Sequence, residues 1–90
     1  MRTPVYTTRF KKDLERMLAR GVDVEGIKAV MRDLMEEVPL APRHRDYVLI
    51  GNFKDRRECH IEPDWLLIYR IEGLRIIFER TGKPADLFIG

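Results

Sequence analysis

Apolar residues recur at helical spacing in the first half of the chain and alternate or run together in the second. In TTRFKKDLERMLAR, Phe10, Leu14, Met17 and Leu18 fall on one stripe of a 3.6-residue helix. Thr7 or Thr8 is placed to cap its first turn through a hydroxyl, and Gly21 permits the left-handed turn that closes it. Asp23 is the next cap. It opens a second helix through VEGIKAVMRDLMEEV, whose buried stripe is Ile27, Val30, Met31, Leu34 and Val38. Gly26 weakens that helix by about 1 kcal/mol relative to alanine, and Pro39 stops it. So short a connection makes the two helices an antiparallel pair. Ahead of them, TPVYTT reads as a short strand, with Pro4 marking an edge position or a strand start.

After the loop PLAPRHRD the period changes to two. YVLIGNF is a strand with Gly51 as a bulge or exit. In RRECHI, Cys59 and Ile61 point one way and Glu58 and His60 the other. WLLIYRI is apolar on both faces, as expected of a central strand covered by helices on one side. Glu72 and Gly73 form a two-residue hairpin turn into LRIIFER, and TGKPADLFIG is a loop whose apolar end, Leu87 to Ile89, is pinned to the sheet. The order is β-α-α-β-β-β-β in a single domain over 1–90. The fold class is α+β: two N-terminal helices packed on a mostly antiparallel sheet of four to five strands.

Composition narrows the class. Apolar residues at 44% and charged residues at 36% exclude a disordered chain. The longest apolar stretch, Trp65 to Tyr69, falls far short of the ~18 residues that span a bilayer, so no membrane is expected as partner. No charged-then-apolar signal segment opens the chain, and Cys59 has no second cysteine to pair with; both point to the cytoplasm. His44, Cys59 and His60 lack the paired spacing of a zinc site, so no metal or other cofactor is expected. The net charge of +2 does not by itself identify a nucleic-acid partner. Arginine dominates the second half, and its planar fork suits phosphate oxygens, yet on charge alone a solvated mixed-charge surface explains the pattern better.

Candidate chemistry gathers in RECHIEPDWLLIYRI. If Glu62 to Asp64 reverse the chain, His60 ends one strand and Asp64 starts the next. With Glu72 and Gly73 as the second hairpin loop, Trp65 pairs with Arg80 and Asp64 with Thr81, and Arg80, Thr81, Gly82 and Lys83 return to the same rim. Taken singly, each residue has a structural explanation. A strand histidine is usually solvated, Asp64 suits a turn, Trp65 suits the core, and Arg80 can pair with Glu79 or Asp64. Convergence on one nucleotide's footprint is what makes them a candidate set.

At these residues the chain resembles the YafQ-type toxins of bacterial type II toxin–antitoxin pairs, within the RelE-like mRNA interferases. The resemblance is carried by HIEPDWLLIYRI, by FERTG, by the terminal LF, by the spacing of Gly51, Arg57 and His60, and by the character of TTRFKKDLERM. It implies the same fold and a metal-independent endoribonuclease that cuts mRNA in the ribosomal A site. It also implies a cognate antitoxin, often a ribbon-helix-helix DNA binder with an acidic tail, through which operator DNA is bound. His60 matches the central active-site histidine and Asp64 the family's aspartate, which either orients the imidazole and raises its pKa or acts as base itself. Arg80 is the phosphate clamp. Trp65 stacks a base or packs beneath the site, Phe88 matches a C-terminal phenylalanine used in activity, and Arg57 and Lys83 serve substrate binding.

The match departs at two positions where the family commonly carries histidine: Tyr47 stands at one and Pro84 at the other. Proline transfers no proton, so the acid for the leaving oxygen falls to Tyr47, to Lys83 or to His44 from the loop. The departures also define an alternative function, a catalytically weakened relative that binds antitoxin and acts as transcriptional co-repressor. The gyrase-poisoning branch of the same superfold lacks a histidine-centred site and fits less well.

Overall fold

The computed structural model describes residues 1–49 and 55–88. A strand β1 (Thr3–Tyr6) leads into helices α1 (Thr8–Ala19) and α2 (Val24–Met35). Strands β2 (Tyr47–Val48), β3 (Arg57–Glu62), β4 (Trp65–Glu72) and β5 (Arg75–Gly82) follow, then a short helix α3 (Pro84–Phe88). The sheet order is β1-β5-β4-β3-β2; β1 runs parallel to β5 and every other pairing is antiparallel. The expected α+β architecture is the one observed, and Pro4 sits on the edge strand where its missing N–H costs least.

Both helices start as their sequences dictate. The Thr7 hydroxyl accepts from the Phe10 N–H at 3.0 Å, and the Asp23 carboxylate accepts from that of Glu25 at 3.0 Å. The second helix ends at Met35, short of the Val38 expected from periodicity. Arg2 explains the early stop: its backbone N–H takes the Met35 carbonyl at 2.7 Å and its guanidinium takes that of Leu34 at 2.8 Å. Tertiary donors thus satisfy the helix end before Pro39 is reached.

One face of the sheet carries α1 and α2. Trp65, Leu67 and Tyr69 of β4 join Cys59, Ile61, Ile76 and Phe78 against Phe10, Met17, Ile27, Val30 and Leu34. Leu18, expected in that stripe, is exposed. On the opposite face Leu66 and Ile68 pack with Leu87 of α3. That C-terminal segment, expected to be a loop, is helical because Pro84 suits a first helical position and the Lys83 carbonyl accepts from Asp86 and Leu87. The expected bulge at Gly51, most of YVLIGNF and the end at Ile89 lie outside the described residues.

The β4–β5 register differs from expectation. Glu72 pairs with Arg75, so the loop is Gly73–Leu74 rather than Glu72–Gly73. Gly73 has φ 60°, and a first loop residue at positive φ is what a tight hairpin of this kind requires. A second irregularity follows: Tyr69 pairs with Phe78 but Ile68 with Arg80, leaving Glu79 as a bulge. Trp65 therefore does not pair with Arg80, nor Asp64 with Thr81. The bulge has a further effect. Without it, strand alternation would aim Arg80 at the helix-covered face; with it, Arg80 shares the face of Ile68.

Candidate active site

Register and alternation place one row of side chains across the face away from α1 and α2: Tyr47, Glu58, Ile68 and Arg80. The next row is His60, Leu66 and Gly82. By strand spacing and rise, the Cα atoms of His60 and Arg80 are roughly 12 Å apart, which two long side chains can bridge around one phosphodiester. Gly82 keeps this row low. A Cβ there would sit 3.3 Å from Asp86 Cβ, at a φ of 154°.

His60 is half-buried at the end of β3. Its Nδ1 lies 3.1 Å from the Pro63 carbonyl. A carbonyl can only accept, so Nδ1 carries the hydrogen, and in the neutral ring the lone pair is on Nε2. The Pro63–Asp64 turn thereby orients the imidazole through its backbone. Asp64 was expected to do so through its carboxylate. That carboxylate is instead exposed, with Oδ2 3.7 Å from Lys83 Nζ. Asp64 and Lys83 do share the rim, as the sequence suggested.

Arg80 is oriented from an unexpected direction. Its Nε and Nη2 donate to Asp13 Oδ2 and Oδ1 at 2.6 and 3.2 Å. Asp13 is 4% exposed and also accepts from Arg16 and from the Thr81 backbone N–H. A carboxylate this buried persists only because donors surround it. Neither bond to Asp13 uses Arg80 Nη1. Sequence reading passed over Asp13, although the signal is there: it occupies a core position of the 10-13-14-17 stripe of α1.

Trp65 is 2% exposed and its indole N–H donates to the Thr81 hydroxyl at 2.8 Å, which in turn donates to the Leu66 carbonyl. Of its two expected roles, packing beneath the site is the one the structure shows; its ring is not available to stack a base. Tyr47 is 55% exposed on the His60 face, and Phe88 is exposed at the end of α3. Arg57 is not with them. Odd-numbered positions of β3 face the helices, and there Arg57 Nε donates to Asp46 at 3.2 Å and to the Tyr69 hydroxyl at 3.3 Å. Burial works against the Arg57 charge, but the bonds to Asp46 and Tyr69 hold its pKa above the ordinary guanidinium range. Burial and then the short bond to Asp46 push the Tyr69 phenol up. Arg57 is a structural tie, and its expected contact with substrate is corrected by strand alternation.

Two cavities open on this part of the molecule. One of about 370 Å³ is lined by Thr7, Arg9, Arg56, Glu79, Arg80 and Leu87, among others. The other, about 260 Å³, is lined by Arg43, Arg45, His60 and Pro63. His44, expected as a possible proton donor, is committed elsewhere: its Nδ1 lies 2.6 Å from the His60 carbonyl. Among the described residues, no three His, Cys, Asp or Glu side chains gather closely enough to hold a metal ion.

The family model for the bacterial toxin YafQ of type II toxin–antitoxin systems matches residues 2–89. The chain belongs to the YafQ toxin family. The mRNA interferase toxin YafQ of Escherichia coli K12 is 37% identical over 84 residues, covering 92% of this chain and 91% of that one. Among solved structures, a copper-bound mutant toxin from Helicobacter pylori superposes with a TM-score of 0.94 at 34% identity, covering 98% of this chain and all of that one. YafQ in the E. coli DinJ–YafQ complex superposes with a TM-score of 0.91 at 36% identity, covering 98% and 99%. In this YafQ-family toxin, then, the two departures have definite addresses. Tyr47 stands on the His60 face and Pro84 opens α3. The copper of the Helicobacter relative has no counterpart donor cluster among the described residues here.

Proposed function

We propose that this YafQ-family toxin is a ribosome-dependent endoribonuclease that cuts mRNA in the ribosomal A site without a metal ion. The observation that carries the reading is the His60 imidazole, held through Nδ1 by the Pro63 carbonyl on a face that also presents Tyr47 and Arg80. Nε2 of His60 takes the proton of the ribose 2′-hydroxyl. O2′ bonds to phosphorus as the bond to the 5′-oxygen breaks. The Tyr47 phenol gives its proton to that leaving oxygen, and a 2′,3′-cyclic phosphate and a 5′-hydroxyl result. Arg80, aimed by Asp13, offers Nη1 to the phosphate oxygens as their charge grows. Lys83, beside Asp64, adds a second cation at the rim, and Phe88 bounds the site from α3. Trp65 acts from below through Thr81.

The relative solved with DinJ supports a cognate antitoxin for this chain. In this reading it is a ribbon-helix-helix protein with an acidic tail, and the pair binds operator DNA through the antitoxin. No helix among the described residues is long and apolar enough to cross a membrane, and the reading places the toxin in the cytoplasm.

The deciding experiment incubates the toxin with ribosomes programmed with mRNA and maps new 5′ ends, with His60→Ala and Tyr47→Phe beside it and EDTA in a parallel arm. Cleavage at codons in the A site, lost in His60→Ala and retained in EDTA, is expected. If no new ends form while the protein still binds antitoxin and operator DNA, Tyr47 and Pro84 have left a co-repressor and the nuclease reading is wrong.

A further inference from the structure

The 3-10 turn Pro42–His44 is built against the candidate base. His44 Nδ1 donates to the His60 carbonyl at 2.6 Å, tying the turn to the last residues of β3. The next residue, Arg45, is held in the left-handed region at φ 42°, ψ 64°, a conformation a non-glycine side chain adopts only when its surroundings demand it. The result brings Arg43 and Arg45 into one cavity with His60 and Pro63, and no carboxylate lines it.

Charge sets these two arginines apart. Arg80 is matched by Asp13, Arg56 and Arg70 by Glu79, and Arg57 by Asp46. Among the described residues neither Arg43 nor Arg45 has an ion-pair partner, and both are exposed. Two unneutralised guanidiniums held on either side of an anchoring histidine, in a cavity open to solvent, form a phosphate site in which the protein supplies the cations and no anion of its own.

We propose that Arg43 and Arg45 bracket the backbone phosphate next to the scissile linkage, and that His44 is the positioning residue that holds this bracket against His60. The proposal rests on the RNA-cleaving reading and deepens it: Arg80 serves the reacting phosphate, and the bracket serves its neighbour along the strand. Since it touches only backbone, it adds affinity without base preference.

The test uses the full chain and a short oligoribonucleotide with a 2′-O-methyl group at the cleavage position, so that it binds and is not cut. Affinity is followed by fluorescence anisotropy across a salt series. Each phosphate-contacting cation removed should lower the slope of log affinity against log salt by about 1. The double variant R43Q/R45Q should therefore lose about 2 in slope and at least tenfold in affinity at low salt. Arg32→Gln, an exposed and unpaired arginine on α2, should keep the unmutated slope. His44→Ala should lower affinity, and His44→Asn, whose amide can still donate to the His60 carbonyl, should restore it. If His44→Ala fails to fold, the double variant carries the test, since both side chains are on the surface.

Absence of binding by the unmutated protein, or an unchanged slope in R43Q/R45Q, overturns the bracket. An intact slope in a folded His44→Ala overturns the role of His44. The cleavage assay on programmed ribosomes is read separately. Binding with the expected slopes but no new 5′ ends sinks the nuclease reading and keeps the bracket, and cleavage with unaltered slopes does the reverse.

Discussion

The two faces of the sheet are built from the same strands and obey opposite rules. On the face under α1 and α2, aliphatic and aromatic side chains fill the space, and the polar groups present, Arg57, Asp46 and Tyr69, are tied to one another. On the other face Leu66, Ile68 and Leu87 form a small floor, around which stand His60, Tyr47, Glu58, Glu79 and four arginines counting Arg43. Each face holds an arginine–aspartate pair, and the difference between the pairs is instructive. Arg57 and Asp46 consume each other's hydrogen bonds inside a structural knot. Asp13 instead comes from α1 around the sheet edge to aim Arg80 at the open side, leaving one guanidinium nitrogen unused by the pair. Stability is concentrated on one face and chemistry on the other, and Asp13 is where they meet.

That contrast can be broken most sharply by single substitutions. Replacing His60 with alanine should lower cleavage by roughly 10²–10⁴-fold with an unchanged thermal midpoint. A matching fall in stability would show that His60 belongs to the scaffold. On the covered face, Phe78→Ala should cost about 3–5 kcal/mol in denaturant unfolding, because the ring is wholly buried between Tyr6 and Phe10. A loss under 1 kcal/mol would mean that the helix-side core is looser than its burial implies. Asp13→Asn should do both things at once, destabilising by about 1–3 kcal/mol and lowering cleavage, since one oxygen must then serve Arg80, Arg16 and the Thr81 N–H. Activity that falls with no stability change, or the reverse, would separate the two roles assigned to it.

The smallest effect is at the C-terminal helix. The bonds from Arg20 hold the Asp86 carboxyl down to about 2. A carboxyl depressed from its ordinary ~3.9 contributes stability above that value, and the contribution is lost as pH falls toward 2. Amide exchange of residues 84–88 should therefore quicken between pH 4 and 2 while β4 stays protected. Arg20→Gln should move the onset upward. Identical profiles in the two proteins would show that the pair does not dock α3.

Much of this fold was legible because its signals are local. Thr7 and Asp23 cap the helices, as their side chains suggest, and β4 reads as central because both its faces are apolar. The candidate site was legible as a set of residue types and less so as an arrangement. Asp64 was expected against His60, yet the Pro63 carbonyl occupies that place, since a backbone group in a tight turn outcompetes an exposed carboxylate paired with Lys83. Asp13 carried a visible signal, a charge in an apolar stripe, whose meaning depended on a residue 67 positions away.

From the sequence alone came the periodicities, hence the number and kind of elements, the face on which Cys59 and Ile61 are buried, and the string around His60 that resembles one toxin family. Only the folded chain decided which way Arg80 points. Alternation fixes sides within a strand, but the relation between strands depends on where a turn closes and where a residue is left over. Here Gly73 and Leu74 close the turn and Glu79 is the residue left over, and that one extra residue turns Arg80 toward the face of His60.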